Sequence, residues 1–256
     1  MVGTKNMRLS VLFIGNSYTY FHELWDHFSA AARAGGYEVE VDHVTKGGWT
    51  LEKMASTDDE YGKQAHEKLT DRTKRYDIVF LQEQSERPAS DPALFYDGVR
   101  VLNQKIVAAG AKTVLYQTWG RKTGAESLAK HGWTNESMTK LLAGAYEAIA
   151  HECGLALSPA GTAFYDVYTH HPEIELYTED GSHPSDIGTY LVALCHFATV
   201  YQISPVGLSY TGPVKDAETL RVLQRAAHDA VFGPSILSDS ERPCSIGITA
   251  KNEPQA

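Results

Sequence analysis

The chain offers little material for disulfides or metal clusters. Its 256 residues include only three cysteines, Cys153, Cys195 and Cys244. An odd number at such wide spacing makes no disulfide framework and no C-x-x-C metal site. Cys153 and Cys195 fall in helix-like patterns, where core thiols sit, and a reducing compartment is the mild inference. Long apolar runs are missing: none reaches about 18 residues, so no segment reads as a membrane-spanning helix. Val11 to Ile14 is too short for the apolar region of a signal peptide. A chain trimmed of its leader would look the same, so the compartment stays open. Basic runs are scarce too, the densest being Arg72-Thr73-Lys74-Arg75, which suits a solvated helix end. With a formal net charge of -9, this argues against a nucleic-acid or anionic-membrane partner, both of which need clustered Lys and Arg. There is no internal repeat and no low-complexity linker.

What is present is ordinary soluble composition, 43% hydrophobic and 21% charged, in a chain long enough for a sizeable core. Strand-like and helix-like segments alternate. Leu9 to Ile14 is a continuous apolar run, as in a strand buried on both faces. Glu23 to Arg33 reads as a helix stopped by Gly35-Gly36. Tyr37 to Val44 alternates Val39, Val41 and His43 with charged residues, a half-buried strand. Tyr61 to Arg75 is polar and helical, and Ile78 to Leu81 is a short strand. Pro92 opens a helix to Ala109, closed by Gly110. Strands follow at Lys112 to Thr118 and Leu155 to Leu157, and helices at Glu136 to Cys153, Ser185 to Tyr201 and Ala217 to Val231. Gly120 to Trp133 has no clear period and reads as a loop, with a lid role left open. The expectation is one domain over residues 1–234 and a polar tail over 235–256. Alternation of this kind predicts an α/β fold: a three-layer α/β/α sandwich around a parallel sheet of about five strands.

In such sheets the site lies beyond the carboxyl ends of the strands. Four segments qualify: Gly15 to Tyr20, Lys46 to Thr50, Gln82 to Arg87 and Gln117 to Arg121. The first contains Gly15-Asn16-Ser17. A serine between strand and helix is placed as an exposed nucleophile would be, or as a plain helix N-cap. A nucleophilic hydroxyl needs a base, normally histidine oriented by a carboxylate. Residues 180–186 read D-G-S-H-P-S-D. Asp180 and His183, three apart on a turn pinned by Pro184, set a carboxylate beside an imidazole. A surface His near a capping Asp is the plainer alternative.

Together, Gly15-Asn16-Ser17 and Asp180-Gly181-Ser182-His183 resemble the first and last blocks of the SGNH hydrolases, also called the GDSL esterases and lipases. The likeness runs from about Leu9 to about Val231. It implies a flavodoxin-like sandwich, Ser17 as nucleophile, His183 as base and Asp180 as its orienting acid. It also implies an oxyanion hole. The Ser17 N–H is one donor and Gly48, in Gly48-Trp49-Thr50, supplies a second. The Gln84 side chain stands where the family places an asparagine, with Gln82 as runner-up. One such donor is worth about 3–4 kcal/mol. Two departures mark the chain: Asn16 replaces the usual Asp, and Gln82-Glu83-Gln84-Ser85 replaces the usual G-x-N-D. Both resemble a carbohydrate-esterase-like branch.

The resulting expectation is a serine esterase acting on small acyl groups, acetyl by preference, carried on a sugar or another small-molecule or glycan ester. No cofactor and no metal are expected: His170-His171 with His183 and Asp180 lacks the spacing of a metal site. Trp49, Trp119 and Gln82 are candidate substrate contacts, with Tyr18 and Tyr20 possible parts of an aromatic wall. Arg87 and Arg121 share that edge and suit either a substrate carboxylate or a surface acid. The alternatives are a lipase or thioesterase for longer chains, and a non-catalytic sugar-binding protein on the same fold.

Overall fold

The structure is a computed structural model that describes residues 8–233. The expected polar tail over 235–256, and Cys244 with it, lies outside the described residues.

Five strands carry the sheet: β1 (Arg8–Gly15), β2 (Glu38–Thr45), β3 (Ile78–Leu81), β4 (Lys112–Tyr116) and β5 (Ala156–Ser158). They are all parallel, in the order β2-β1-β3-β4-β5. The helices are α1 (Ser17–Tyr20), α2 (Leu24–Ala34), α3 (Leu51–Ala55), α4 (Glu60–Thr70), α5 (Arg87–Ser90), α6 (Pro92–Ala108), α7 (Glu126–His131), α8 (Asn135–Cys153), α9 (Ala160–His170), α10 (Asp186–Tyr201) and α11 (Ala217–Phe232).

Alternate residues of the central strands serve opposite layers, because the side-chain period of a strand is two. Val11, Phe13, Ile78, Phe80, Val114 and Tyr116 meet α2, α9, α10 and α11 on one face. Leu12, Ile14, Val79, Leu81 and Leu115 meet α3, α4, α6 and α8 on the other. Each fully buried aliphatic or aromatic side chain here adds roughly 1.5–3 kcal/mol. α10 is buried on all sides from Gly188 onward, because α2, α9 and α11 surround it. Local chemistry sets the helix ends. Asp91 caps the N-terminus of α6 ahead of Pro92. A Thr134/Ser137 capping box opens α8, and Gly154, in the left-handed region, closes it.

The α/β/α sandwich with a five-stranded parallel sheet is the architecture expected from the alternation. Among the described residues, five helices go beyond the sequence expectation, one of them the four-residue α1. α3, α5 and α7 are no longer than six residues, too short to show a period. α9 begins on Pro159-Ala160-Gly161-Thr162-Ala163, small residues that carry little hydrophobic signal. It is nonetheless buried at Ala160, Gly161, Ala163, Phe164 and Val167.

The strand order reverses direction between β1 and β3, so the crevice at the carboxyl edge opens there. The segments following β1, β2 and β3 all line it.

Candidate active site

β1 ends at Gly15, a position too crowded for a larger side chain. A Cβ at Gly15 would lie 2.4 Å from Thr19 Oγ1 and 2.7 Å from Gln82 Oε1. The chain then turns directly into α1. Asn16 is the N-cap, its Oδ1 accepting from the Tyr18 N–H at 3.2 Å, and Ser17 is the first helical residue. Among the described residues the Ser17 N–H has no hydrogen-bond acceptor, as expected for the open donors of a helix start.

His183 reaches Ser17 from the opposite end of the chain. Its loop is tightly tied: the Thr178 N–H donates to the His183 carbonyl at 2.9 Å and the Ser185 N–H to the Leu176 carbonyl at 2.8 Å. His183 Nε2 lies 2.8 Å from Ser17 Oγ, and Nδ1 lies 2.5 Å from Asp180 Oδ2. With Nδ1–H donated to the carboxylate, Nε2 is left to accept the serine proton. Asp180 is held as an anion. Partial burial opposes its charge, but bonds from the His183 ring, the His183 and Ser182 N–H groups and the Thr178 hydroxyl outweigh burial. They keep the carboxyl well below the usual range. The Phe21 ring lies flat on the imidazole, centroids 4.2 Å apart and planes 11° apart. The turn that presents Phe21 is strained: His22 (φ 50°) and Glu23 (φ 46°) are consecutive non-glycine residues in the left-handed region.

A second network stands behind this one. Arg121 Nη1 donates to Tyr18 Oη at 3.0 Å and Nη2 to Ser85 Oγ at 2.8 Å. The Tyr18 hydroxyl also shares a hydrogen bond with the Ser182 hydroxyl, Oη to Oγ 3.0 Å. One guanidinium thus joins the segments that follow β1, β3 and β4 to the His183 loop. Arg121 also pairs with Glu86 at 3.3 Å, and Arg87 with Glu52 at 3.3 Å. Of the two arginines considered for a substrate carboxylate, each therefore has an internal acidic partner.

The remaining expected residues divide. Gly48 is exposed with φ 73°, a conformation that favours glycine. Its N–H, like that of Ser17, has no acceptor among the described residues. Gln84 is half-buried. Its Oε1 accepts from the Glu86 and Arg87 N–H groups at 2.9 and 3.0 Å, and its Nε2 lies 3.4 Å from Ser85 Oγ. Gln82 is corrected as a substrate contact. It is 1% exposed, and its Oε1 accepts from the Asn16 N–H at 2.8 Å and the Thr19 hydroxyl at 2.9 Å. It braces the serine turn from below. Trp119 is also corrected: it is 0% exposed, sandwiched between Tyr18 and Phe164, with Nε1 donating to the Ser182 carbonyl. A strand-exit tryptophan packs inward here because α9 covers it. Tyr18 is buried with it, whereas Tyr20 is 37% exposed. Trp49 is half-buried, its Nε1 donating to the Asp59 carboxylate and its ring lying 4.4 Å from Lys53 Nζ. Segment 120–134 contains α7 rather than a plain loop, and it is pinned by Lys122 N–H to the Gly181 carbonyl and by Asn135 Nδ2 to the Gly120 and Arg121 carbonyls.

Phe21 is the residue least visible in the sequence; Arg121 is visible at the strand edge, but its role in tying the loops together is not. Phe21 follows Ser17 by four positions in an aromatic run, which was the one available signal. No group of three or more His, Cys, Asp or Glu that could hold a metal ion occurs among the described residues.

Comparison with known proteins bears on the fold and the family. No protein-family model matches the chain, and no curated protein does. Solved structures do match. An SGNH hydrolase by description, from Slackia heliotrinireducens, is 30% identical, with 75% of this chain aligned to 99% of that one at a TM-score of 0.66. A DUF4886 family protein from Bacteroides uniformis is 18% identical over 94% of this chain and 98% of that one, TM-score 0.74. An acetyl xylan esterase is 17% identical over 75% of this chain and 100% of that one, TM-score 0.55. The second and third likenesses bear on the fold alone. The first, three-tenths identical along nearly the whole of its own length, decides the family: this chain belongs to the SGNH hydrolases and is a serine ester hydrolase.

Proposed function

We propose that the protein removes small acyl groups, acetyl by preference, from a carbohydrate ester through an acyl-enzyme intermediate. The observation that carries this reading is the unbroken line from Ser17 Oγ through the His183 ring to Asp180, with spacings of 2.8 and 2.5 Å. Ser17 Oγ attacks the ester carbonyl as His183 Nε2 takes its proton. The imidazolium that forms is steadied by Asp180 and faced by the Phe21 ring. The tetrahedral oxyanion is held by the Ser17 and Gly48 N–H groups, with the Gln84 amide as third donor once its weak contact to Ser85 is given up. His183 then protonates the leaving alcohol. Water, deprotonated by the same nitrogen, attacks the acyl-enzyme and releases the acid and Ser17.

The preference for a small acyl group is supported by the fold shared with an acetyl xylan esterase and by the crowding around Ser17. Phe21 stacks on His183 and the Trp49 carbonyl bonds Asn16, so aromatic residues border the serine turn. The carbohydrate is supported by the half-exposed aromatic rim of Tyr20, Phe21 and Trp49. Hydrolysis of p-nitrophenyl acetate, butyrate and octanoate tests the reading. Acetate should be preferred, and Ser17→Ala and His183→Ala should each lower kcat by at least about 10³-fold. Activity that climbs with chain length would instead favour a lipase or thioesterase. Glycan binding that survives Ser17→Ala without any turnover would favour a binding protein.

A further inference from the structure

One ionisable group beside the site takes no part in this chemistry. Glu83 follows β3 and is 0% exposed. Its Oε1 accepts from the Gln84 N–H at 2.6 Å, and both of its oxygens lie 3.2 Å from the Leu51 N–H. Its own N–H donates to Tyr146 Oη at 3.2 Å. No ion pair to Glu83 occurs among the described residues. The charged and titratable groups facing it are Arg87 on α5, Glu52 on α3 and Tyr146 on α8, and Arg87 is already paired with Glu52.

A buried carboxylate without a cation is expensive, and an apolar side chain of similar size would pack there at lower cost. The geometry gives it a task. Leu51 begins α3, directly after the Gly48-Trp49-Thr50 segment. Gln84 begins the segment after β3. One carboxylate therefore fastens together the two loops that bear the proposed donors other than Ser17. Charge-assisted bonds are about twice as strong as neutral ones, so the anion holds the two loops more firmly than an amide would.

We propose that Glu83 is a positioning residue: as a carboxylate it clamps the Leu51 and Gln84 N–H groups and thereby sets the spacing between Gly48 and Gln84. This rests on the hydrolytic reading of Ser17 and His183. Its consequence is that the site works best only once Glu83 has lost its proton, a requirement separate from the need for a free His183 Nε2 to accept the serine proton. Burial, resisted by the two N–H groups and by Arg87, pushes the Glu83 carboxyl up to about 7, so its proton is exchanged in the range where hydrolysis is measured. A protonated Glu83 is a weaker acceptor and sets an O–H beside N–H donors.

The test is the pH dependence of p-nitrophenyl acetate hydrolysis by wild type, Glu83→Gln and Ser17→Ala. Below neutrality log(kcat/KM) of the wild type should rise more steeply with pH than that of Glu83→Gln, the ratio of the two growing to about tenfold. Glu83→Gln should lack that extra rise, with kcat on the plateau lowered about tenfold and KM little changed, as for a loss felt in the transition state. A wild-type limb described throughout by a single ionisation would overturn the proposal, and that measurement stands even if Glu83→Gln does not fold. So would a folded Glu83→Gln indistinguishable from wild type. Failure of the hydrolytic reading looks different: Ser17→Ala would then be as active as wild type, whatever the slopes.

Discussion

Asn16 Nδ2 donates to the Trp49 carbonyl oxygen at 3.0 Å. That bond crosses from the turn after β1 to the turn after β2, and a carboxylate cannot make it because it has no proton to give. The departure from the family's usual Asp is thus tied to how this chain joins the serine turn to the Gly48 turn. Asn16→Asp, which would restore the family motif, is expected to destabilise the protein by about 1–3 kcal/mol, since a 2% exposed residue would then set a carboxylate against a carbonyl. Chemical denaturation of the variant measures this. An unchanged midpoint would show that the bond carries no weight.

Arg121 should act through the residues it holds. Arg121→Met removes the donors to Tyr18 Oη and Ser85 Oγ and frees the Tyr18 hydroxyl that anchors Ser182. A loss of about 1.5–3 kcal/mol in stability is expected for bonds from a charged donor. The effect of Tyr18→Phe should be largely contained in it. A double-mutant cycle checks the coupling: additive effects would mean that the two residues work separately.

Phe21 covers the face of His183 at 4.2 Å. An aromatic stack of this kind is worth roughly 1 kcal/mol, so Phe21→Ala should lower kcat/KM about fivefold, while Phe21→Tyr keeps it. The comparison is made at saturating and limiting p-nitrophenyl acetate. Equal losses in Tyr and Ala variants would point to the strained turn at His22 and Glu23, not to the ring.

Glu83 ties stability to pH in the sense opposite to activity. Its carboxyl is raised from 4.5 to about 7, so its contribution to stability is complete below the unfolded value and is lost as pH rises through about 7. The stability advantage of wild type over Glu83→Gln should therefore shrink between about pH 5 and pH 8, by on the order of 3 kcal/mol. Asp180 has the opposite sign. Its carboxyl is depressed, so its contribution is present above the unfolded value and is lost as pH falls below it. Urea titrations at several pH values separate the two, and a wild-type advantage that grows with pH would contradict the Glu83 assignment.

Much of this molecule follows from local signals. The unbroken apolar run of β1, the Gly35-Gly36 stop after α2, Pro92 opening α6 and the Asp180-to-His183 turn are short-range features, legible because backbone preference and side-chain period act within a few residues. They were enough to predict the parallel sheet and to pair Ser17 with His183 as candidates. Tertiary structure decided what needed distance. Trp119 and Gln82 stand at strand exits in the sequence, as rim contacts would, yet α9 covers the one and the serine turn covers the other. Burial depends on which segment lands on a strand exit, and that is set by packing between residues far apart in the chain, 66 positions in the case of Gln82 and Asn16. The Asn16–Trp49, Arg121–Tyr18 and Glu83–Leu51 bonds have the same origin. Each joins segments that become neighbours only when the strands assemble in the order β2-β1-β3-β4, so no spacing along the chain could announce them.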